Sequence, residues 1–369
     1  MANAADWRSA RNILCVRLDG AGDVLMTTPA IRALKTSALG RHVTLLTSAA
    51  GAEVAALVPE VDEVITYDAP WMKATAERTS APDYALLERL RKCQFDASVV
   101  FTVFSQSPLP AALSCYLAGV PLRLAHCREN PYQLLTDWLP ETEPHDVMRH
   151  ESHRQLDLVA AIGSTTRDLR LSLKVPHSAR FAARRTLRQA GVDITRPWLV
   201  MHPGASAQSR RYPPEQMADA AQMLVEDGHQ IVLTGGHDET LLVQGIRGMM
   251  GAPSVSLAGR LSLPELAAVV SEAPLLVSNN TLPVHIAAAV QTPVVDLYAL
   301  TNPQHTPWQV PSRVLSHDVP CRNCYKSVCP QGHHNCLRLV DPREVVEAVR
   351  ALLEETEQTD SEVRHAAVG

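Results

Sequence analysis

Short apolar runs alternate with stretches of helical periodicity twice along this chain, and that alternation leaves few folds open. In the first half the runs are residues 12–16, 42–47, 64–67, 96–101 and 122–125, with helical spacing over 24–35, 83–93 and 150–162. In the second half they are 198–201, 230–234, 274–278 and 293–298, with helical spacing over 178–191, 214–226, 238–249, 263–271, 283–290 and 342–354. Runs of four to six apolar residues are what a strand buried on both faces presents. Strands separated by single helices imply parallel βαβ units. The expected fold class is therefore α/β, two doubly wound halves with a cleft between them. The boundary is expected in the polar stretch 164–175, giving domains 1–172 and 173–341. Residues 357–369, polar and charged, are expected to be a disordered tail.

A length of 369 residues favours two domains over one. Aromatic residues make up 4%, so the core must be built mostly from Ala, Val and Leu. The formal net charge is -5 and no basic stripe is present, which excludes a nucleic-acid partner. No apolar run approaches the length of a membrane span, and the N-terminus lacks a charged-then-apolar signal. A cytoplasmic location is expected, with peripheral membrane contact left open.

Function concentrates at strand-to-helix turns. The first follows the run 12–16 and carries Arg17, Asp19, Gly20, Gly22 and Asp23. Such a turn is where an open α/β sheet presents its ligand site. The glycines let the backbone turn sharply, and Asp23 falls in the helix's first turn. Two roles fit it: a reactive carboxylate, or an acid that complements the helix dipole.

Three further turns lie in the second half. One holds His202, Gly204 and Ser206, followed by Arg210 and Arg211; the next holds Thr234, Gly235, Gly236, Asp238 and Glu239; the third holds Asn280, Thr281 and His285. Free N–H groups at helix starts favour an anion. Hydroxyls on Ser206 and Thr281, a close backbone approach at Gly204 and the guanidinium of Arg210 together describe a pyrophosphate site. Neither a Walker motif nor a complete Gly-x-Gly-x-x-Gly occurs, which argues against ATP hydrolysis and nicotinamide chemistry. His202 and His285 also fit a purely packed role, and Arg211 reads as exposed.

Cys321, Cys324, Cys329 and Cys336 cluster late, with His333 and His334 among them. In a reducing compartment such a cluster suggests metal before disulfide. A structural zinc is one reading; a knuckle of reduced thiols packing the C-terminal region is the other.

Four motifs together resemble glycosyltransferase family 9, the ADP-heptose:lipopolysaccharide heptosyltransferase group. They are 17–29, ending in Gly22-Asp23-Val24 and its helix; His202-Pro203-Gly204-Ala205-Ser206 with Arg210-Arg211-Tyr212-Pro213; 257–263; and 280–285 followed by Ile286-Ala287-Ala288. The resemblance implies a GT-B type fold of two Rossmann-like domains, with the C-terminal helix (about 342–356) packing back on the first. It implies inverting, metal-independent transfer from a nucleotide-diphosphate sugar, with ADP-heptose as donor and no cofactor. Asp23 matches the general base, with Arg17 and Gly22 on the acceptor side. Arg210 matches a basic residue on the donor phosphates, and His285 a histidine beside them. Leu261 matches backbone near the nucleotide base, and Asp238 or Glu239 an acid near the ribose. Asn280 stands where the family has a carboxylate toward sugar hydroxyls, and Leu282 where it has glycine. An amide both donates and accepts, so sugar binding is expected to survive with altered preference. The acceptor is expected to be a glycan, a lipid-linked glycan or a small molecule. A non-catalytic nucleotide-sugar-binding protein and a GT-B enzyme using another donor are the alternatives.

Overall fold

The computed structural model describes residues 4–72, 79–146 and 148–366. The chain forms two compact units, Met1–Lys174 and Val175–Gly369. Each is built on a six-stranded parallel sheet.

In the first unit the strands are β1 (Asn12–Arg17), β2 (His42–Thr47), β3 (Glu63–Thr66), β4 (Ala97–Val100), β5 (Leu122–Cys127) and β6 (Asp137–Pro140), in the order β3-β2-β1-β4-β5-β6. In the second they are β7 (Trp198–His202), β8 (Gln230–Leu233), β9 (Val255–Ser256), β10 (Leu276–Asn279), β11 (Val294–Leu297) and β12 (Ser312–Leu315), in the order β12-β11-β10-β7-β8-β9. Counted from its own first strand, each sheet therefore has the order 3-2-1-4-5-6. Central strands such as β4, β7, β10 and β11 are buried along their whole length, because helices cover both faces. One core gathers Leu14, Val16, Ile65, Leu90, Val100 and Ala125; the other gathers Leu199, Met201, Leu224, Val277, Val295 and Leu297.

This topology dictates where ligands go. The strand order reverses direction between β1 and β4 in the first sheet, and between β7 and β10 in the second. Crevices beyond the carboxyl ends of strands at such switch points are the binding positions of doubly wound sheets. The turn after β1 and the turns after β7 and β10 stand at those positions.

Several elements differ from the sequence reading. Helix Leu109–Leu117 lies between the runs 96–101 and 122–125, where no helical spacing was read, with Pro110 in its first turn where a fixed φ is tolerated. The edge strand β6 extends the first sheet beyond the run 122–125, and its Pro140 lies at the strand end, where no ladder N–H is required. The boundary stretch 164–175 forms neither helix nor strand. That segment runs extended along the first unit, where Ser172 N donates to Thr28 Oγ1 (2.9 Å) and Lys174 N to the Leu57 carbonyl (2.8 Å).

The C-terminal helix is also changed. It runs Pro342–Ala366, so residues 357–366, expected to be disordered, continue it. Its Val345, Val346, Val349 and Leu352 are buried in the core of the second unit. It packs on helix Pro214–Glu226, β11 and β12. Arg350 clamps Asp227 with two bonds of 2.7 and 2.8 Å. The apolar spacing along its first turns is what selects this partner, since those four side chains fall on one face. No described helix is long and apolar enough to cross a membrane.

Candidate functional site

At the carboxyl end of β1 the guanidinium of Arg17 is fully buried and surrounded by three carboxylates. Nε lies 2.9 Å from Asp19 Oδ2, Nη2 lies 3.2 Å from Asp23 Oδ1, and Nη1 lies 2.8 Å from Glu151 Oε1. Burial opposes the charge on Arg17, but the three carboxylates outweigh it and hold the group protonated. Asp19 is the strained member. Burial, with a smaller contribution from Asp23, pushes its carboxyl up to about 6 against the pull of Arg17. Gln106 Nε2 donates to its other oxygen at 2.6 Å. Asp23 differs from its neighbours in remaining partly exposed. It sits at the third position of helix Ala21–Thr36, and its Oδ2 accepts the Gly20 N–H at 3.1 Å. The helix-terminal role and the Arg17 pairing are thus both present in one side chain.

Glu151 had no local sequence signal. It comes from helix Glu151–Ala160, whose first turn is capped by His150 Nδ1 accepting from Ser152 N (3.1 Å). Gln155 Nε2 donates to Glu151 at 2.7 Å and to the Thr102 carbonyl at 3.0 Å, tying this helix to the turn after β4.

In the second unit the sequence-marked residues gather at the ends of β7, β8 and β10. Parallel register sets Ser278 of β10 beside His202 of β7. His202 is buried, and its Nδ1 lies 3.0 Å from Thr234 Oγ1. Its Nε2 lies 3.5 Å from Glu239 Oε2. Burial lowers the His202 pKa, partly offset by Glu239. Glu239 leans over Gly204, where an added Cβ would stand 2.0 Å from Oε1. It also accepts the Gly236 N–H at 2.7 Å. Asp238 is exposed, so the structure separates the two acids that the sequence left as alternatives.

The loop after β7 is braced from several sides. Asn279, fully buried at the end of β10, donates to the Pro203 carbonyl at 2.6 Å and accepts the Tyr212 N–H at 2.9 Å. Arg211, read as exposed, is half-buried and donates from Nε to the Ala205 carbonyl at 2.8 Å. In the same loop Ser206 is exposed and Arg210 is half-buried. Gly259 N donates to the Gly235 carbonyl at 2.9 Å, and its φ of +69° is a left-handed conformation that suits glycine. That bond brings the segment leading to Leu261 against the turn after β8. Asn280, Thr281 and His285 open helix Leu282–Val290 beyond β10, with Asn280 and His285 buried.

Asn279 was missed although it adjoins Asn280; two amides in succession at a strand end were the available signal. Asp296 on β11 was missed too. It is fully buried, and Asn280 Nδ2 donates to its Oδ2 at 2.9 Å. A lone carboxylate inside the apolar run 293–298 was its signal.

The late cysteines are all free thiols. Cys321 Sγ lies 3.9 Å from His333 Nε2. Burial raises the Cys336 thiol, with a smaller contribution from Cys329, Cys321 and Cys324. Among the described residues no three His, Cys, Asp or Glu side chains are disposed to hold a metal, so the zinc reading finds no assembled ligand set. Backbone bonds hold the segment instead. Asn323 N donates to the Leu300 carbonyl (2.7 Å), Tyr325 N to Thr301 (2.8 Å), and Ser209 donates to the carbonyls of Lys326 and Ser327. The cysteine segment thereby buttresses the Arg210 loop.

Two Rossmann-like sheets of identical order, with polar turns at both switch points, make a fold of the GT-B type. The chain resembles solved structures throughout its length. The glycosyl transferase family 9 protein from Veillonella parvula DSM 2008 superposes with a TM-score of 0.79 at 22% identity, covering 94% of this chain and 98% of that one. E. coli ADP-heptose lps heptosyltransferase II gives 0.74 at 22%, covering 94% and 99%. In sequence, the chain is 24% identical over 349 residues to lipopolysaccharide heptosyltransferase 2 of Escherichia coli (strain K12), covering 92% of this chain and 98% of that protein. The model of glycosyltransferase family 9 (heptosyltransferase) matches residues 84–334, and the chain belongs to that family.

Proposed function

We propose that this enzyme transfers a heptose from an ADP-sugar donor to a hydroxyl of a lipopolysaccharide-core glycan, with inversion at the anomeric carbon and Asp23 as general base. The relatives named for ADP-heptose and lipopolysaccharide support the donor and acceptor classes. One observation carries the catalytic assignment: Asp23 is the partly exposed carboxylate of a cluster whose other members are buried.

A general base must be held within hydrogen-bond reach of the proton it removes. Arg17 holds the Asp23 side chain through Nη2 while its other donors serve Asp19 and Glu151. Asp23 removes the acceptor proton as the hydroxyl oxygen attacks the anomeric carbon. The bond from that carbon to the diphosphate breaks, and negative charge gathers on the leaving group. Arg210, the hydroxyls of Ser206 and Thr281, His285 and the amino end of helix Leu282–Val290 stabilise that charge. Gly204 gives the diphosphate its backbone approach, Glu239 takes the ribose side, and the segment at Leu261 takes the base.

The test is transfer of heptose from ADP-heptose to heptose-containing core acceptors, followed by mass spectrometry, with the product's anomeric configuration read by NMR. A single product of inverted configuration is expected. Tight ADP-heptose binding with no product from any core acceptor would instead favour the non-catalytic alternative.

A further inference from the structure

Asn280 offers less to a ligand than an amide normally does. Its Nδ2 carries two hydrogens, and both are committed: one to Asp296 Oδ2 at 2.9 Å, the other to the His305 carbonyl at 2.8 Å. Its Oδ1 has no protein hydrogen-bond partner among the described residues. The amide is therefore fixed in one orientation, with its donors turned inward and its acceptor left over.

The partners that impose this are themselves held. Asp296 lies on β11, in register with Ser278 of β10, so it stands beneath the start of the Asn280 loop. His305 N lies 3.3 Å from the Tyr298 hydroxyl, and Tyr298 in turn bonds the Asn302 carbonyl. Burial pushes the Asp296 carboxyl up to about 8, opposed by the Asn280 bond and by Arg210. A chiefly neutral carboxyl keeps Oδ2 as an acceptor while placing no full negative charge behind the donor diphosphate.

We infer that Asp296 is a positioning residue that makes Asn280 an acceptor-only group toward the donor sugar, so that the amide presents to a sugar hydroxyl what a carboxylate would present. This rests on the proposed donor site. It also corrects the expectation that Asn280 both donates and accepts. The sugar hydroxyl donates its hydrogen to Asn280 Oδ1, and a donor whose sugar lacks a hydroxyl there gains nothing from the site.

The experiment is calorimetric titration of ADP and of ADP-heptose into the full chain and its variants, with chemical unfolding measured alongside. Asp296→Ala is expected to weaken ADP-heptose about tenfold, the worth of one hydrogen bond, and to leave ADP unchanged. Asn280→Ala should give the same loss, and the double variant no further loss. Asp296→Asn, nearly the shape of the neutral acid, should retain wild-type binding by turning its carbonyl to Asn280. Should Asp296→Ala fail to fold, Asp296→Leu carries the same comparison. Equal weakening of ADP and ADP-heptose, multiplying losses in the double variant, or a full loss in Asp296→Asn would each overturn the inference. A wild-type chain that binds neither nucleotide would overturn the donor reading itself, a result distinct from any of these.

Discussion

Arg17 Nη1 donates to Glu151 Oε1 at 2.8 Å across 134 residues of sequence, and neither side chain reaches solvent. The bond joins the end of β1 to the first turn of helix Glu151–Ala160. It also determines what the remaining two carboxylates share, because a guanidinium has a finite set of donors. The chemistry proposed for Asp23 depends on a partner that lies at the other end of the unit's sequence.

Asp23→Asn keeps the shape and the Gly20 contact but removes the base. The expected outcome is a fall in kcat of about 10²- to 10⁴-fold, with donor affinity unchanged. Steady-state kinetics beside calorimetric donor binding checks it, and unaltered turnover would remove Asp23 from the mechanism.

The raised pKa of Asp19 has a consequence for stability. A carboxyl at about 6 in the folded protein, against about 3.9 when unfolded, binds a proton more tightly in the fold. Its contribution is complete below about pH 4 and is lost as pH rises through about 6. Asp19→Asn cannot titrate. Relative to wild type it should gain up to about 3 kcal/mol between pH 4 and 7, read from denaturant midpoints at each pH. A flat difference curve would contradict the burial argument.

Gly204→Ala places a methyl where Glu239 now rests. The Glu239 side chain has to leave His202, at a cost of about 1–3 kcal/mol in unfolding free energy. Donor binding should weaken by more than the stability change alone implies, since the same methyl stands in the proposed diphosphate approach. Combining it with Glu239→Ala should recover the stability but not the binding, which separates the two effects by calorimetry and urea titration.

Leu352→Ala tests the placement of the C-terminal helix. Leu352 is fully buried in the second core. Its truncation should cost about 2–5 kcal/mol. Hydrogen exchange should show the loss at Leu224 of helix Pro214–Glu226, at Val295 and at the other core strands of the second unit. Protection changes confined to the first unit would contradict the packing described.

The sheet strands were legible because parallel strands buried on both faces must be apolar along their length. The central β1, β4, β7, β10 and β11 all announce themselves this way. The edge strand β12 pairs on one side and carries an arginine, so its sequence reads as loop. The C-terminal helix was underestimated because a polar extension propagates from a packed start at little cost, and propagation needs no apolar signal. At the sites, residue types at strand ends were visible but their partners were not. Nothing near Glu151 connects it to Arg17, and nothing around Asn280 says that both its hydrogens are taken. Asp238 and Glu239 were equivalent in sequence; only the lean of Glu239 over Gly204 separates them.

Both sheets run in the order 3-2-1-4-5-6, and each unit buries a core of its own. The chain is in that sense a sentence with the same grammar in each clause, joined between Lys174 and Val175. Such a join invites recombination. Under the proposed function, with the acceptor taken by the first half and the donor by the second, a lineage can trade one half for a relative's and keep the other, so that the sugar delivered and the surface that receives it diversify at separate rates.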